Sequence, residues 1–215
     1  MLILAFDTST PAVTVAVLRD DDVLAEQQHV DGRRHGEVLA PSIADALASA
    51  ELTLRDVDFV AVGNGPGPFT GLRVGLVTAR SLSHALGIPA YGVCSLDALA
   101  AAAGAGDVFV ATDARRREVY WARYRDGVRT AGPDVARPAD VEPGAITRIG
   151  HGVSVYADLL GPLAAAAPLY PPAAWIGRLV GRSLRAGAEP DEVSPLYLRR
   201  PDAEVPKAPK AALPA

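Results

Sequence analysis

Apolar residues fall along the first hundred positions in blocks of two kinds. Leu2 to Phe6, Ala12 to Leu18 and Val57 to Val62 are almost continuously apolar, the pattern of strands buried on both faces. Asp7 to Pro11 and Arg19 to Asp22 supply turn residues between the early blocks, and Val23 to Val30 reads as a third strand. Glu37 to Ala50 changes to helical spacing, with Val38 or Leu39, Ile43, Leu47 and Ala50 on one side; Pro41 requires this helix to start late or to kink near its first turn. A second helix is predicted from Thr70 to Leu86, stopped by Gly87 and Pro89. A strand over Ala90 to Val93 and a helix over Leu96 to Ala103 come next.

The second half repeats this order more weakly. Val108 to Thr112 is an apolar strand ending at Asp113, Val119 to Arg125 is a second, and Asp126-Gly127 is a hairpin signal into a third. A short strand near Ile146 and helices near Val153 to Leu160 and Trp175 to Ala186 complete it. Leu4-Ala-Phe-Asp7 aligns with Val110-Ala-Thr-Asp113. These patterns predict an α/β protein of two lobes facing across a cleft, each a mixed sheet with flanking helices, over residues 1–104 and 105–200. Residues 201–215, rich in Pro and Ala and holding both lysines, Lys207 and Lys210, read as a flexible tail.

Composition narrows the function. A chain of 215 residues that is 49% hydrophobic and 21% charged can bury two cores. Its net charge of -4 gives no global attraction to nucleic acid, so any RNA contact needs a local patch. The single cysteine, Cys94, excludes an internal disulfide, and it reads as a small buried residue with no activating charge beside it in sequence. No uninterrupted apolar stretch of about 18 residues is present, so no membrane span is expected. The start of the chain lacks a basic segment followed by an apolar one, which fits a cytoplasmic protein.

Two features carry candidate chemistry. Asp7, Thr8 and Ser9 end the first strand as Asp113 ends its counterpart, and paired carboxylates at these positions are the arrangement of the actin, Hsp70 and sugar kinase superfamily. In that setting small residues let phosphate oxygens reach backbone N–H groups. Asp7 to Ser9 match in part, but Asp113 is followed by Ala114 and three arginines with no glycine. The other reading of Asp7 is a turn in which the carboxylate accepts from N–H groups of its own hairpin. The run Gly63-Asn-Gly-Pro-Gly-Pro-Phe-Thr-Gly-Leu-Arg-Val-Gly75 can expose N–H groups at a helix head, or it can be a rigid turn closing helix on strand. It lacks the Gly-Lys-Ser/Thr ending of a nucleotide P-loop.

Leu4-Ala-Phe-Asp-Thr-Ser-Thr10, the Gly63 to Gly75 run, Ala85-Leu-Gly-Ile-Pro89, Asp113-Ala-Arg-Arg-Arg-Glu-Val-Tyr120 and Pro195-Leu-Tyr-Leu-Arg199 together resemble the TsaB (YeaZ) family, from residue 2 to about 200. The resemblance implies a ribonuclease-H-like fold in both lobes. It also implies a noncatalytic subunit for making threonylcarbamoyladenosine (t6A) in tRNA beside the anticodon. The implied partners are the catalytic paralogue TsaD, as a heterodimer, and the ATPase TsaE, with tRNA reached through the complex. ATP or ADP and the metal are then expected to belong to the partner subunits. In TsaD the matching segment carries two histidines four apart, suited to one metal. Ser95 and Leu99 stand at those positions here. His29, His35, His84 and His151 have no spacing that rebuilds such a pair. Asn64 and Pro68 depart from the Arg and Ser common in the family.

The family pairs through helices of its first lobe, which points to Leu39, Ile43, Leu72, Gly75, Leu76, Ala79, Leu82 and Ser83 as partner-interface residues, and to a homodimer when the partner is missing. The same apolar stripe also fits packing on its own sheet. Arg115 to Arg125 mixes arginines with aromatic rings, so Arg115 and Arg117 are candidates for tRNA contact. The alternation also fits a plain strand with Tyr120 and Tyr124 on one face and Trp121 and Arg123 on the other. A stand-alone actin-like ATPase or glycoprotease-type peptidase is the alternative, and it needs a metal or nucleophile constellation that the sequence does not display.

Overall fold

The computed structural model describes residues 1–144 and 147–199. In the first lobe β1 (Leu2–Asp7), β2 (Ala12–Arg19) and β3 (Asp22–Val30) form an antiparallel meander, followed by α1 (His35–Ser49), β4 (Phe59–Gly65), α2 (Phe69–Leu86), β5 (Ala90–Cys94) and α3 (Ser95–Ala103). The sheet order is β3-β2-β1-β4-β5, with β4 parallel to both β1 and β5. Three antiparallel strands joined by helical crossovers to parallel ones is the ribonuclease-H-like topology that the sequence order predicts.

Continuous apolarity in β1 follows from burial on both sides. Leu2, Leu4 and Phe6 face the core under α1 and α2, while Ile3 and Ala5 face the opposite core. That second core is closed by α6 (Ala173–Arg185), whose Ala173, Ala174, Ile176 and Val180 are buried there. A side chain at Gly177 would start 2.6 Å from Leu18, so this helix lies directly on the strands. The division at residue 105 therefore needs a correction: β6 does start just beyond it, but α6 belongs to the first lobe. The chain returns to this lobe after α6, since Gly92 and Asp191 form a β-bridge and the Leu196 N–H donates to the Asn64 carbonyl at 2.8 Å, before Leu198 and Arg199 reach the second lobe. An amphipathic helix records that it has a buried face, not which sheet covers it.

The second lobe is built from β6 (Asp107–Asp113), β7 (Val119–Arg125), β8 (Val128–Ala136), β9 (Thr147–Ile149) and the short helices α4 (His151–Val155) and α5 (Ala157–Leu160). Its order β8-β7-β6-β9, with β9 parallel to β6, repeats the first sheet without a fifth strand among the described residues. The alternation along β7 is as expected for a plain strand. Tyr120 and Tyr124 enter the core against α3, while Trp121 packs on the other face with Phe109.

α3 is the joint between the lobes. Its Ala98 belongs to the first-lobe core, and Leu96, Leu99 and Ala100 pack with Val108, Val110 and Ile149 of the second. Helix boundaries differ from the sequence reading mainly at α1, which begins at His35 and carries Pro41 inside it. The tail 201–215 lies outside the described residues.

Candidate functional site

The end of β1 carries a dense buried hydrogen-bond network. Asp7 is fully buried; its Oδ1 accepts from the Ser9 N–H and from the Ser9 hydroxyl, both at 2.7 Å, and its Oδ2 accepts from the Ser95 hydroxyl at 2.5 Å. The Gly65 N–H donates to Ser95 Oγ at 3.2 Å, which links β4 to the same group. Burial pushes the Asp7 carboxyl above its ordinary value, and the Ser95 and Ser9 bonds and the nearby His35 oppose that rise without cancelling it. Thr8 is also committed: its hydroxyl donates to the Gly71 carbonyl at 2.7 Å and accepts from the Gly75 N–H at 3.1 Å.

This turn explains the glycine run. A Cβ at Gly63 would fall on Asp7 Oδ2 and 2.8 Å from Ser95 Oγ, one at Gly67 on the Ser9 carbonyl, one at Gly71 2.5 Å from the Thr8 carbonyl, and one at Gly75 2.5 Å from Thr8 Oγ1. Glycine every four residues lets β4 and α2 lie flush against the Asp7 to Ser9 turn. The run is thus a closing surface for helix on strand. Asp7, Thr8 and Ser9, the sequence candidates for a phosphate site, direct their polar atoms into the chain itself.

The second lobe copies the turn. Asp113 Oδ1 accepts the Arg115 N–H at 3.1 Å, as Asp7 accepts that of Ser9. The two lobes then diverge, because Arg115, Arg116 and Arg117 have φ of 62°, 54° and 61°, a left-handed turn of three residues. Of the tRNA candidates Arg115 and Arg117, Arg117 is on the wall of neither interlobe cavity. Arg115 lines the cleft between the lobes, and Arg116 rather than Arg117 joins it on the wall of a cavity of about 430 Å³ with Phe69, Tyr120, Tyr197 and Arg199. A smaller cavity of about 250 Å³, lined by Thr8, Thr10, Arg33, His35 and Thr70, adjoins it and shares Pro68 and Arg115. Sequence reading missed Phe69, Arg116 and Tyr197; the motif around Tyr197 was visible, but nothing local says that it returns to the head of α2.

The interface residues read from the helices need correction. Leu39, Ile43, Leu72, Gly75, Leu76 and Ala79 are buried under their own sheet. Ser83 is half-buried and its hydroxyl caps the end of α2 by donating to the Ile88 carbonyl at 2.6 Å. Of the set Leu82 and the edge of the mostly buried Ile43 reach an open surface, an apolar groove of about 350 Å³ between α1 and α2. The stripe of small residues facing outward is Ala40, Ala44 and Ala48 on α1, opposite Thr78, with Val77 59% exposed beside it.

Ser95 and Leu99 have structural work. Ser95 heads α3 and holds Asp7, and Leu99 is in the interlobe core. The buried Cys94 thiol is pushed up to about 12, chiefly by burial and then by the charge of Asp97. His35 Nε2 is bonded to the Thr10 carbonyl at 2.7 Å. Among the described residues no three His, Cys, Asp or Glu side chains converge on one point.

Together these features define a two-lobed protein of ribonuclease-H-like topology whose interlobe carboxylate is held by the chain's own hydroxyls. A family model described as TsaD: tRNA N6-adenosine threonylcarbamoyltransferase matches residues 23–155. An uncharacterized protein of Mycobacterium tuberculosis is 50% identical over 204 residues, covering 94% of this chain and 93% of that protein. The tRNA threonylcarbamoyladenosine biosynthesis protein TsaB of Escherichia coli is 40% identical over 129 residues, 58% of this chain and 55% of that protein. The solved structure of YeaZ from Pseudomonas aeruginosa superposes with a TM-score of 0.78 at 32% identity, over 92% of this chain and 99% of that one. The chain belongs to the TsaB (YeaZ) family, as its motifs led one to expect. No helix among the described residues is long and apolar enough to cross a membrane.

Proposed function

We propose that this chain is the noncatalytic partner subunit in forming threonylcarbamoyladenosine in tRNA, and that it docks a TsaD subunit on the α1–α2 face and works with TsaE in a cytoplasmic complex. One observation carries the reading. The two positions where the catalytic paralogue has its metal-binding histidines are Ser95 and Leu99, one tied to Asp7 and the other packed in the core. Neither offers a ligand of the kind a divalent transition metal prefers. ATP or ADP and the metal are assigned on this reading to the partners.

The docking face is supported by its chemistry. The groove between α1 and α2 is apolar, and Ala40, Ala44 and Ala48 present little side chain, so a partner helix can approach closely. A partner of the same fold can offer an equivalent pair of helices, which yields a quasi-twofold pair; two copies of this chain meet in the same way when TsaD is absent. The test is reconstitution with purified TsaD and TsaE. Modified adenosine is expected only when this chain is added, and the chain alone is expected to cleave neither ATP nor peptides. Modification at an equal rate without the chain overturns the proposal.

A further inference from the structure

We propose that the larger interlobe cavity takes one unstacked base of single-stranded RNA, with an adjoining phosphate on its arginines; this rests on the reading that the chain serves tRNA modification. At about 430 Å³ the cavity falls within the range of small-ligand sites. Its aromatic wall is a stacked pair, Phe69 and Tyr197, with centroids 5.4 Å apart and planes at 27°. Phe69 is 49% exposed and Tyr197 44%, far more open than rings that serve a core. Arg73, one helical turn along α2, lies over the Phe69 ring at 3.7 Å and holds it in place. Tyr120 is buried at the cavity wall, and among the described residues its hydroxyl has no hydrogen-bond partner, which leaves it for the edge of a base.

The arginines supply the phosphate contact. Arg115, Arg116 and Arg199 line the cavity; Asp113 lies 4.0 Å from Arg115 Nε, too far to occupy the guanidinium fully, and Glu118 pairs with Arg199. Three consecutive arginines in left-handed backbone are held there by the Asp113 bond to the Arg115 N–H and by the Ala114 N–H on the Glu118 carbonyl at 2.9 Å. Residues held in so sparsely populated a conformation cluster at ligand clamps. Stacking rings beside arginines are the recognition chemistry of unpaired nucleotides. A chain of nucleotides is favoured over a free one because the adjoining cavity, with Arg33 and His35 on its wall, continues the track past Arg115. The Asp7 to Ser9 turn, by contrast, has its polar side chains turned inward and offers no cradle for a triphosphate.

The test uses the full chain and a fluorescein-labelled, unstructured RNA of about ten nucleotides, read by fluorescence anisotropy over a salt series. Tyr197→Ala is expected to weaken binding about tenfold, with Tyr197→Phe close to wild type. Arg115→Ala is expected to reduce the salt slope by about one phosphate contact, and Arg55→Ala, on the 3-10 turn before β4, to change neither quantity. A duplex of the same sequence should compete poorly, and so should AMP. Equal competition by AMP assigns the cavity to free nucleotides and overturns the RNA occupant. Unchanged affinity and slope in both Tyr197→Ala and Arg115→Ala overturn the site. If those variants also support modification as wild type does, the cavity inference alone falls. If modification proceeds without the chain, the partner-subunit reading falls, and anisotropy still decides the cavity.

Discussion

The Ser95 hydroxyl donates to Asp7 Oδ2 at 2.5 Å, joining the first residue of α3 to the last residue of β1 across the base of the interlobe cleft. The carboxyl at this junction is raised above the ordinary 3.8, mainly by burial. Between 3.8 and its raised value the folded chain therefore binds more protons at Asp7 than the unfolded chain does, and this group's contribution to stability falls as pH rises through that window. Asp7→Asn removes the contribution while keeping an oxygen for the Ser9 N–H. Urea unfolding of both proteins from about pH 4 to neutral should show the variant gaining on wild type as pH rises, by about 1.4 kcal/mol for each unit of the shift. A difference that does not change with pH refutes this.

Gly63 is required by the same junction. Its missing side chain is the space occupied by the Asp7 carboxylate. Gly63→Ala should destabilise the protein by about 1–3 kcal/mol or more, since neither β1 nor α3 can withdraw without breaking the Asp7 bonds. Thermal melts of this variant beside Gly36→Ala, where a Cβ meets nothing within 4 Å, make the comparison.

The α1–α2 face can be challenged without harming the fold. Ala44→Arg places a long cation on the open groove and should abolish co-purification with TsaD while leaving the melting temperature near wild type. Ala79→Arg forces a charge beneath the sheet and should leave the chain unfolded or insoluble. Circular dichroism read with the pull-down separates the two, and Ala44→Arg retaining TsaD shows the docking face to be elsewhere.

Cys94 should be inert in the native protein. With its thiol at about 12 and its side chain buried, the thiolate fraction at neutral pH is lower than that of a free cysteine by about three orders of magnitude. Ellman's reagent should react only after unfolding in urea, and rapid reaction with the folded chain contradicts the burial.

Much of this protein was determined by local sequence. Apolar runs such as Leu2 to Phe6 are specified residue by residue, because a strand covered on both faces must be apolar at both parities. The repeat of a strand ending in Asp7 and in Asp113 likewise pointed to two lobes. Tertiary structure decided the rest, because the deciding contacts join distant segments. α2 is apolar or small on more than one face, so periodicity could not say that Leu72, Leu76 and Ala79 point inward while the Ala40, Ala44 and Ala48 stripe of α1 points out. The basic, amphipathic α6 could cover either sheet, and the burial of its Ile176 and Val180 with Ile3 and Leu18 and the close approach at Gly177 assign it to the first. The cavity walls come from residues 69, 116, 120 and 197, brought together by a left-handed turn and by the return of residues 195–199, which no local pattern encodes. Short-range pattern sets which surface of an element is buried; which partner buries it is settled by the packing of the whole chain.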